Sequence, residues 1–348
     1  MSKEIDLSKY QVRTDLAIEA VEGITKKDGI NSKTETKNNI KITTVDVLEE
    51  GVKLINKKVG KYITIEFSDV TDNTNKEAVK NILQNELKQL LKHLNIKKDE
   101  TCLIIGLGND KSTADSLGPL VIDKIVVTKH LFELNVVDEG FRSVSAFSPG
   151  VMGQTGIETS EIIFGVVKRV QPDFLIIIDA LAASSLSRIN KTIQITDTGI
   201  HPGSGVGNMR KEISKEILNI PVIAIGVPTV VDAVTIVSDT INYMTQKVAF
   251  NKENINNPRH KLIIENELNY IEEGKKNNDL SSEDKQNLMG IIGTLTEEKR
   301  RQLIYEVLSP IGYNLIVTPK EVDFLIKKLS DIIAGGINNA LHRQINQS

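Results

Sequence analysis

The chain has 348 residues, 40% of them hydrophobic, which is enough for one large globular domain or two smaller ones. Aromatic residues make up only 4% and the net charge is −3, which argues against a nucleic-acid surface built on stacked rings or on positive charge. A single cysteine excludes an internal disulfide, and because Cys102 lies within an apolar run we interpret it as a buried hydrophobic residue.

The first hundred residues predict a small mixed region. The amino terminus lacks the apolar segment of a signal peptide, and no run reaches the roughly 18 apolar residues of a membrane helix, so we expect a soluble intracellular protein. Residues 26–40 are polar and rich in turn-forming residues, which predicts a mobile loop. Residues 41–47 and 62–67 alternate as half-buried strands do, and residues 75–94 have helical spacing.

Residues 100–245 alternate between apolar runs of strand length and helical segments. The runs 103–107, 174–178 and 221–227 are continuously apolar, which is typical of parallel strands covered on both faces. Helical patterns lie between them at 158–170 and 211–218. The sequence therefore predicts an α/β fold whose core is a doubly wound, mostly parallel sheet with flanking helices.

The last hundred residues predict a helical carboxyl-terminal region, and we expect a smaller subdomain beside the core. Residues 251–285 are polar and are interpreted as an exposed, variable linker, and helical patterns return from residue 286, at 297–308 and 319–329. We expect Thr318 to cap the last of these helices, with Pro319 at its first position and Glu321 in its first turn.

Aspartates follow two of the apolar strands, at the position where α/β folds bind their ligands. The loop after residues 103–107 contains Asp110 and Asp115, and the run 174–178 is followed by Asp179. Two carboxylates in one such crevice can share a proton and act as general acid and base. Structural roles remain open for both: Asp179 as the N-cap of a helix beginning at Ala180, and Asp115 as an N-cap or the start of an Asx turn.

The segment 201–211 has the highest density of glycine in the chain. We interpret it as a loop that shapes a substrate cleft, with a plain surface loop as the alternative; its candidate cleft residues are His201, Gly203, Ser204, Gly205 and Asn208. It lacks the spacing of a phosphate-binding loop, and no serine is paired with a base in the sequence.

The sequence predicts no bound metal or cofactor. The five histidines are widely spread, and neither an H-E-x-x-H motif nor a cysteine cluster is present. Because ligands can converge from distant positions, a mixed metal site of Asp115, Asp179 and His201 stays open as an alternative.

Long, specific strings of this chain resemble one family. They are residues 6–17, 106–109, 149–159, 172–183, 199–208, 228–234 and 290–295. On these strings the sequence closely resembles the spore germination proteases, the endopeptidases that degrade small acid-soluble spore proteins. The resemblance implies a fold like that of the hydrogenase-maturation peptidases, a homotetramer, and a location in the cytoplasm of the forespore and the spore core.

The resemblance also implies how the protein is made and activated. It implies synthesis as a zymogen, with residues 1–15 as a propeptide, residues 16–348 as the peptidase domain, and self-cleavage between Asp15 and Leu16. It places the catalytic aspartates of an aspartic-type mechanism at Asp115 and Asp179. Independently of the resemblance, the low aromatic content and the net charge of −3 predict no direct binding of nucleic acid or membrane. The alternatives kept beside the aspartic-type peptidase are a metal-dependent peptidase that uses His201 and a non-enzymatic structural protein of the spore.

Overall fold

The computed structural model describes residues 14–25, 27–201, 211–254, 280–308 and 315–343. Contacts divide the chain into two compact units. The sheet unit comprises the described residues from 14 to 231 and from 318 to 343, and the helical unit comprises those from 232 to 317. The predicted propeptide is thus described only from Thr14 onward, and residues 255–279 of the predicted linker lie outside the described residues.

The sheet unit is built on a mixed β-sheet. Its strands are β1 (Ile30–Lys37), β2 (Ile40–Val47), β3 (Gly60–Glu66), β4 (Cys102–Gly106), β5 (Val144–Phe147), β6 (Phe174–Ala183), β7 (Thr192–Thr196) and β8 (Val222–Asp232). They lie in the order β1-β2-β3-β7-β8-β6-β4-β5. Strands β8, β6, β4 and β5 are parallel, whereas β7, β3, β2 and β1 continue the sheet with antiparallel pairing. The predicted parallel sheet is found in the half that contains the three long apolar runs.

Helices cover both faces of this sheet. They are α1 (Ala17–Glu22), α2 (Glu49–Ile55), α3 (Asn73–His93), α4 (Leu117–Ile122), α5 (Lys129–Glu133), α6 (Met152–Thr155), α7 (Thr159–Val170) and α8 (Lys215–Leu218). On one face, Ile104 and Ile176 of the strands pack with Leu87 of α3. On the other face, Ile105 packs with Ile163 of α7. Covering on both faces explains why these strands are apolar without alternation.

The helical unit contains the helices α9 (Ala233–Asn254), α10 (Ser282–Met289), α11 (Ile291–Thr294) and α12 (Glu297–Leu308), and the short strand β9 (Ile316–Val317). The predicted helix at 297–308 is confirmed by α12. The Arg300 guanidinium donates a hydrogen bond of 2.6 Å to the Asn242 side chain, which joins α12 to α9. Among the described residues, no helix is both long and apolar enough to span a membrane.

The last helix, α13 (Val322–Leu341), returns to the sheet unit and packs against α3 and α4. It begins later and ends later than the predicted 319–329. The predicted cap is wrong, because Glu321 occupies the N-cap position without a side-chain hydrogen bond. The Thr318 hydroxyl donates instead to the carbonyl oxygen of Thr229 on β8, at 2.8 Å.

The prediction of a mobile loop at 26–40 is also wrong. Residues 30–37 form β1, which joins β2 through a two-residue hairpin with Lys37 opposite Ile40. The hairpin residues Asn38 and Asn39 both have positive φ, 51° and 61°, as the tight turns of β-hairpins require. β1 is an edge strand whose side chains are mostly exposed, so it lacks the alternating pattern of a half-buried strand.

Two glycines let the backbones of β4 and α4 touch. A Cβ atom on Gly118 would overlap the carbonyl oxygen of Leu107 and lie 2.5 Å from its backbone nitrogen. A Cβ atom on Gly106 would overlap the carbonyl oxygen of Gly118. Backbone atoms have little freedom to move aside, so this contact fixes the first turn of α4 against the carboxyl end of β4.

We expect Gly118→Ala to lower the free energy of unfolding by about 1–3 kcal/mol or more, because it forces the two backbones apart. Gly165→Ala is the matched control: a Cβ atom there has no neighbour within 4 Å, and in the interior of α7 alanine should stabilise by about 0.5–1 kcal/mol. Urea unfolding of both variants measures the difference. A Gly118→Ala variant as stable as the wild type would contradict the close contact.

Candidate active site

Asp179 lies within β6 and not at the end of the strand. β6 continues to Ala183, but its neighbour β4 ends at Gly106, which is opposite Ile178. Asp179 is therefore the first residue of β6 that β4 no longer covers. Its side chain is buried, with 7% exposed, and its Oδ1 accepts a hydrogen bond of 2.9 Å from the backbone N–H of Ala180. Because Ala180 continues the strand, the alternative of a helix N-cap is wrong.

Asp115 is the last residue of a 3-10 turn, Thr113–Asp115, between β4 and α4. Its carbonyl oxygen accepts a hydrogen bond of 3.0 Å from the N–H of Asn109. Gly108 has a φ of 115°, and a Cβ atom there would overlap that carbonyl oxygen and lie 3.2 Å from the Asp115 carboxylate. The Asp115 carboxylate is therefore beside the backbone of residue 108, at the carboxyl end of β4. The N-cap of α4 is Ser116, so Asp115 does not cap that helix.

Neighbouring strands hold the Asp115 turn at the same edge as Asp179. The N–H of Leu107 donates to the carbonyl oxygen of Ile178 at 2.8 Å, which places residue 108 close to Asp179 along the sheet. The buried hydroxyl of Thr229 on β8 donates to the carbonyl oxygen of Ala114 at 2.6 Å. These contacts place the turn of Asp115 and the residue Asp179 at the same edge of the sheet, next to β4, β6 and β8.

The helix α6 contacts the loop that follows β4. The contact is made by a side chain that the sequence analysis missed. The Gln154 side chain on α6 donates hydrogen bonds of 2.7 Å to Asn109 and to Asp110. Asp110 is thus an exposed partner of α6, whereas Asp115 is partly buried. The only sequence signal for Gln154 is its place within the string 149–159.

His201 does not lie with the two aspartates. Gly226 of β8 is opposite Asp179 on one side and Gln194 of β7 on the other. Two residues later on β7, Thr196 is opposite Ala224, which precedes Gly226 on β8. β7 therefore runs away from Asp179 towards the amino ends of the parallel strands. His201 follows β7 there, and its exposed ring lies 3.4 Å from Glu212. The predicted grouping of His201 with the aspartates is therefore not found, because β7 is antiparallel to β8.

The remaining predicted cleft residues, Gly203, Ser204, Gly205 and Asn208, lie outside the described residues. Within the part of the chain that the structure describes, no group of three or more His, Cys, Asp or Glu side chains is arranged to hold a metal ion. The alternative metal site of Asp115, Asp179 and His201 is accordingly not found among these residues.

Asp15 and Leu16 are docked on the strand that carries Asp179. The N–H of Asp15 donates to the carbonyl oxygen of Ala182 at 3.0 Å, and the N–H of Ala182 donates to the Asp15 carboxylate at 2.9 Å. Ala182 is three residues beyond Asp179 on β6. Leu16 is fully buried. The position at which the family resemblance implies cleavage is therefore part of the folded sheet unit.

Comparison with known proteins decides the family. The germination protease family matches residues 9–348. The germination protease of Priestia megaterium is 49% identical over 363 residues, covering 100% of this chain and 98% of that protein, and that of Bacillus subtilis is 48% identical over 361 residues, covering 99% and 97%. The chain belongs to the germination protease family. It is therefore a protease, and its family acts in spore germination.

A solved structure is also similar in part. The nickel–iron hydrogenase maturation protease HycI from Thermococcus kodakarensis KOD1 is 22% identical, with a TM-score of 0.27, over 40% of this chain and 80% of that chain. A TM-score this low supports no argument about the germination protease fold described above.

The segment after Leu16 is fixed by a buried ion pair that the sequence analysis missed. The Glu19 carboxylate accepts hydrogen bonds of 2.7 Å from the backbone and the hydroxyl of Ser184. Arg188 binds Glu19, Glu22 and Glu66. Burial disfavours the charged guanidinium, but its hydrogen bonds and its attraction to these carboxylates outweigh that effect and raise the pKa of Arg188. These contacts attach α1 to the segment that connects β6 with β7.

We expect Thr229→Val to lower the free energy of unfolding by about 1 kcal/mol and to reduce peptidase activity, because the turn that carries Asp115 loses its anchor on β8. Thr240→Val is the control, since the exposed Thr240 hydroxyl bonds only within α9, to the carbonyl oxygen of Ile236 among its described partners. Urea unfolding and peptide hydrolysis measure the two effects. Wild-type activity in Thr229→Val would show that this anchor does not position the site.

Proposed function

We propose that this protease is an endopeptidase that is made as a zymogen, cleaves its own Asp15–Leu16 bond, and then degrades small acid-soluble spore proteins in the spore core. The observation that carries the proposal is the placement of Asp115 and Asp179 at one edge of the sheet, by the contacts of Leu107 and Thr229. Membership of the germination protease family supports the same conclusion. The homotetramer and the location in the forespore belong to the proposal as well.

In the proposed mechanism the two aspartates divide the acid–base work. The ionised carboxylate takes a proton from the attacking water as general base, and the protonated carboxyl donates its proton to the nitrogen of the bond that is cleaved as general acid. Two carboxyl groups that face each other retain one proton between them, because like charges in a partly buried site raise one pKa. The burial of Asp179 favours such sharing.

The amino-terminal segment supports self-cleavage and indicates the substrate class. Its sequence places an acidic residue, Asp15, before the bond, and an apolar residue, an alanine and then Glu19 after it. In the proposal, substrates carry the same order of acidic, apolar and small residues. The docking of Asp15 on β6 supports this view, because the chain's own bond is held near the strand of Asp179.

We expect Asp115→Asn and Asp179→Asn each to slow self-cleavage by at least about 10²–10⁴-fold, because an amide is neither an acid nor a base at these positions. Mass spectrometry of the intact chain measures the loss of residues 1–15, and incubation with a small acid-soluble spore protein measures cleavage of a separate substrate.

Asp110→Asn is the matched control for these variants. It lies in the same loop, and an asparagine oxygen can still accept the hydrogen bond from Gln154, so we expect wild-type cleavage. If Asp115→Asn or Asp179→Asn cleaves at the wild-type rate, that residue is not part of the catalytic pair.

A further inference from the structure

Two hydrogen-bond donors converge on the carbonyl oxygen of Asp15. The Lys57 ammonium group lies 3.2 Å from this oxygen, and the Gln194 side-chain amide donates to it at 3.1 Å. Lys57 also donates to the carbonyl oxygen of Thr14 at 3.0 Å. Gln194 is buried, with 5% exposed. One cation and one neutral amide therefore face the oxygen of the bond that joins Asp15 to Leu16.

The other groups of this bond are fixed as well. The N–H of Leu16 donates to the Thr14 hydroxyl at 3.0 Å, and the N–H of Ala17 donates to the side-chain oxygen of Gln194 at 2.7 Å. Gln194 thus holds the chain on both sides of Leu16. Its side-chain nitrogen binds Asp15 before Leu16, and its side-chain oxygen binds Ala17 after it. The peptide bond has a single defined orientation relative to its two donors.

The donors exceed what anchoring requires. A buried carbonyl oxygen needs a partner, but one neutral donor is enough. The Lys57 amine is held here although its removal from water is unfavourable. Burial lowers the pKa of Lys57, while the negative charges of Asp15 and Glu19 oppose that effect. Two donors aimed at one oxygen are the arrangement that stabilises a developing negative charge, which is larger in the transition state than in the resting carbonyl.

The sheet register relates these donors to the aspartates. Gln194 and Asp179 are both opposite Gly226, so they lie in one row across β7, β8 and β6 and their side chains point to the same face. Adjacent strands are about 4.8 Å apart, so the two backbones are separated by roughly 10 Å. The Leu181 side chain packs over Gly226 within this row, between the two backbones.

We propose that Lys57 and Gln194 form the oxyanion-binding pair for self-cleavage at Asp15–Leu16. The inference rests on the proposed self-cleavage and names further catalytic residues for it. Water adds to the carbonyl carbon of Asp15, the carbonyl electron pair moves to the oxygen, and the N–H groups of both residues stabilise the resulting charge. The carbonyl re-forms as the bond to the Leu16 nitrogen breaks, the proton from water passes to that nitrogen, and the products are a carboxyl group and an amine.

Gln194→Glu is the sharpest test, because a glutamate keeps the oxygen that accepts from Ala17 and loses the donor to Asp15. We expect self-cleavage to slow by about 10²–10³-fold, measured by mass spectrometry of the full chain. Amide hydrogen exchange at Ala17 should stay at the wild-type rate, which a loss of docking would change. Cleavage at the wild-type rate, or a slowing matched by an equal rise in exchange, would overturn the oxyanion role.

Lys57→Met should slow cleavage to a similar extent, and Lys57→Arg should recover part of the rate because it restores a cationic donor. Lys53→Met, an exposed lysine on α2, is the control and should cleave as the wild type does. A faster Lys57→Met variant would overturn the proposal, because it would show that Lys57 holds the intact bond in place and does not assist its cleavage. If Lys57→Met shows no cooperative unfolding, Gln194→Glu decides the question.

The wild-type chain separates the two proposals. A folded wild-type chain that never loses residues 1–15 overturns self-cleavage and the oxyanion pair together. A wild-type chain that cleaves normally beside an equally fast Gln194→Glu variant overturns the oxyanion pair alone.

Discussion

The difference in length between β4 and β6 is the constraint on which the rest of the site depends. β4 stops opposite Ile178, so β6 presents Asp179 and the residues after it along an edge that no longer has a neighbour on that side. The chain then turns back through the 3-10 turn of Asp115, and the two glycines of β4 and α4 keep that turn close. The same open edge receives Asp15 at Ala182. Catalytic candidates and the predicted cleavage position thus share one structural cause.

Elements with strong periodicity could be predicted from the sequence. The helix expected at 75–94 is α3, and the apolar residues at helical spacing on one of its sides are buried: Val79, Ile82, Leu83, Leu87, Leu90 and Leu91. The three long apolar runs are parallel strands. The edge strand β1 could not be recognised, because a strand exposed to water on most sides has no apolar alternation and is specified by its asparagine turn. The strand β7 was missed as well.

The site was predicted in part, for reasons that differ between residues. Asp115 and Asp179 became candidates because apolar strands precede them, and the family resemblance favoured Asp115 over Asp110. The sequence did not show that β6 continues past Asp179, since its backbone pairing with β8 does not depend on side-chain polarity. The grouping of His201 with these aspartates was wrong. His201 follows β7, and only the antiparallel direction of β7 shows that it leaves the sheet at the edge opposite to the aspartates. Lys57 and Gln194 are 42 and 179 positions from Asp15, and no local pattern joins residues so far apart.

The complete burial of Leu16 gives the proposed cut a direction. Hydrolysis of a neutral peptide bond at neutral pH leaves a carboxylate on one side and an ammonium group on the other. The new carboxylate of Asp15 would face the Lys57 ammonium group and the Gln194 amide. The new ammonium group would instead arise on the fully buried Leu16, beside the cationic Lys57. An unpaired charge at a buried position is costly, so the new amino terminus is destabilised where the intact bond was not. The segment that begins at Leu16 would therefore leave its buried position after cleavage, which would oppose re-formation of the bond.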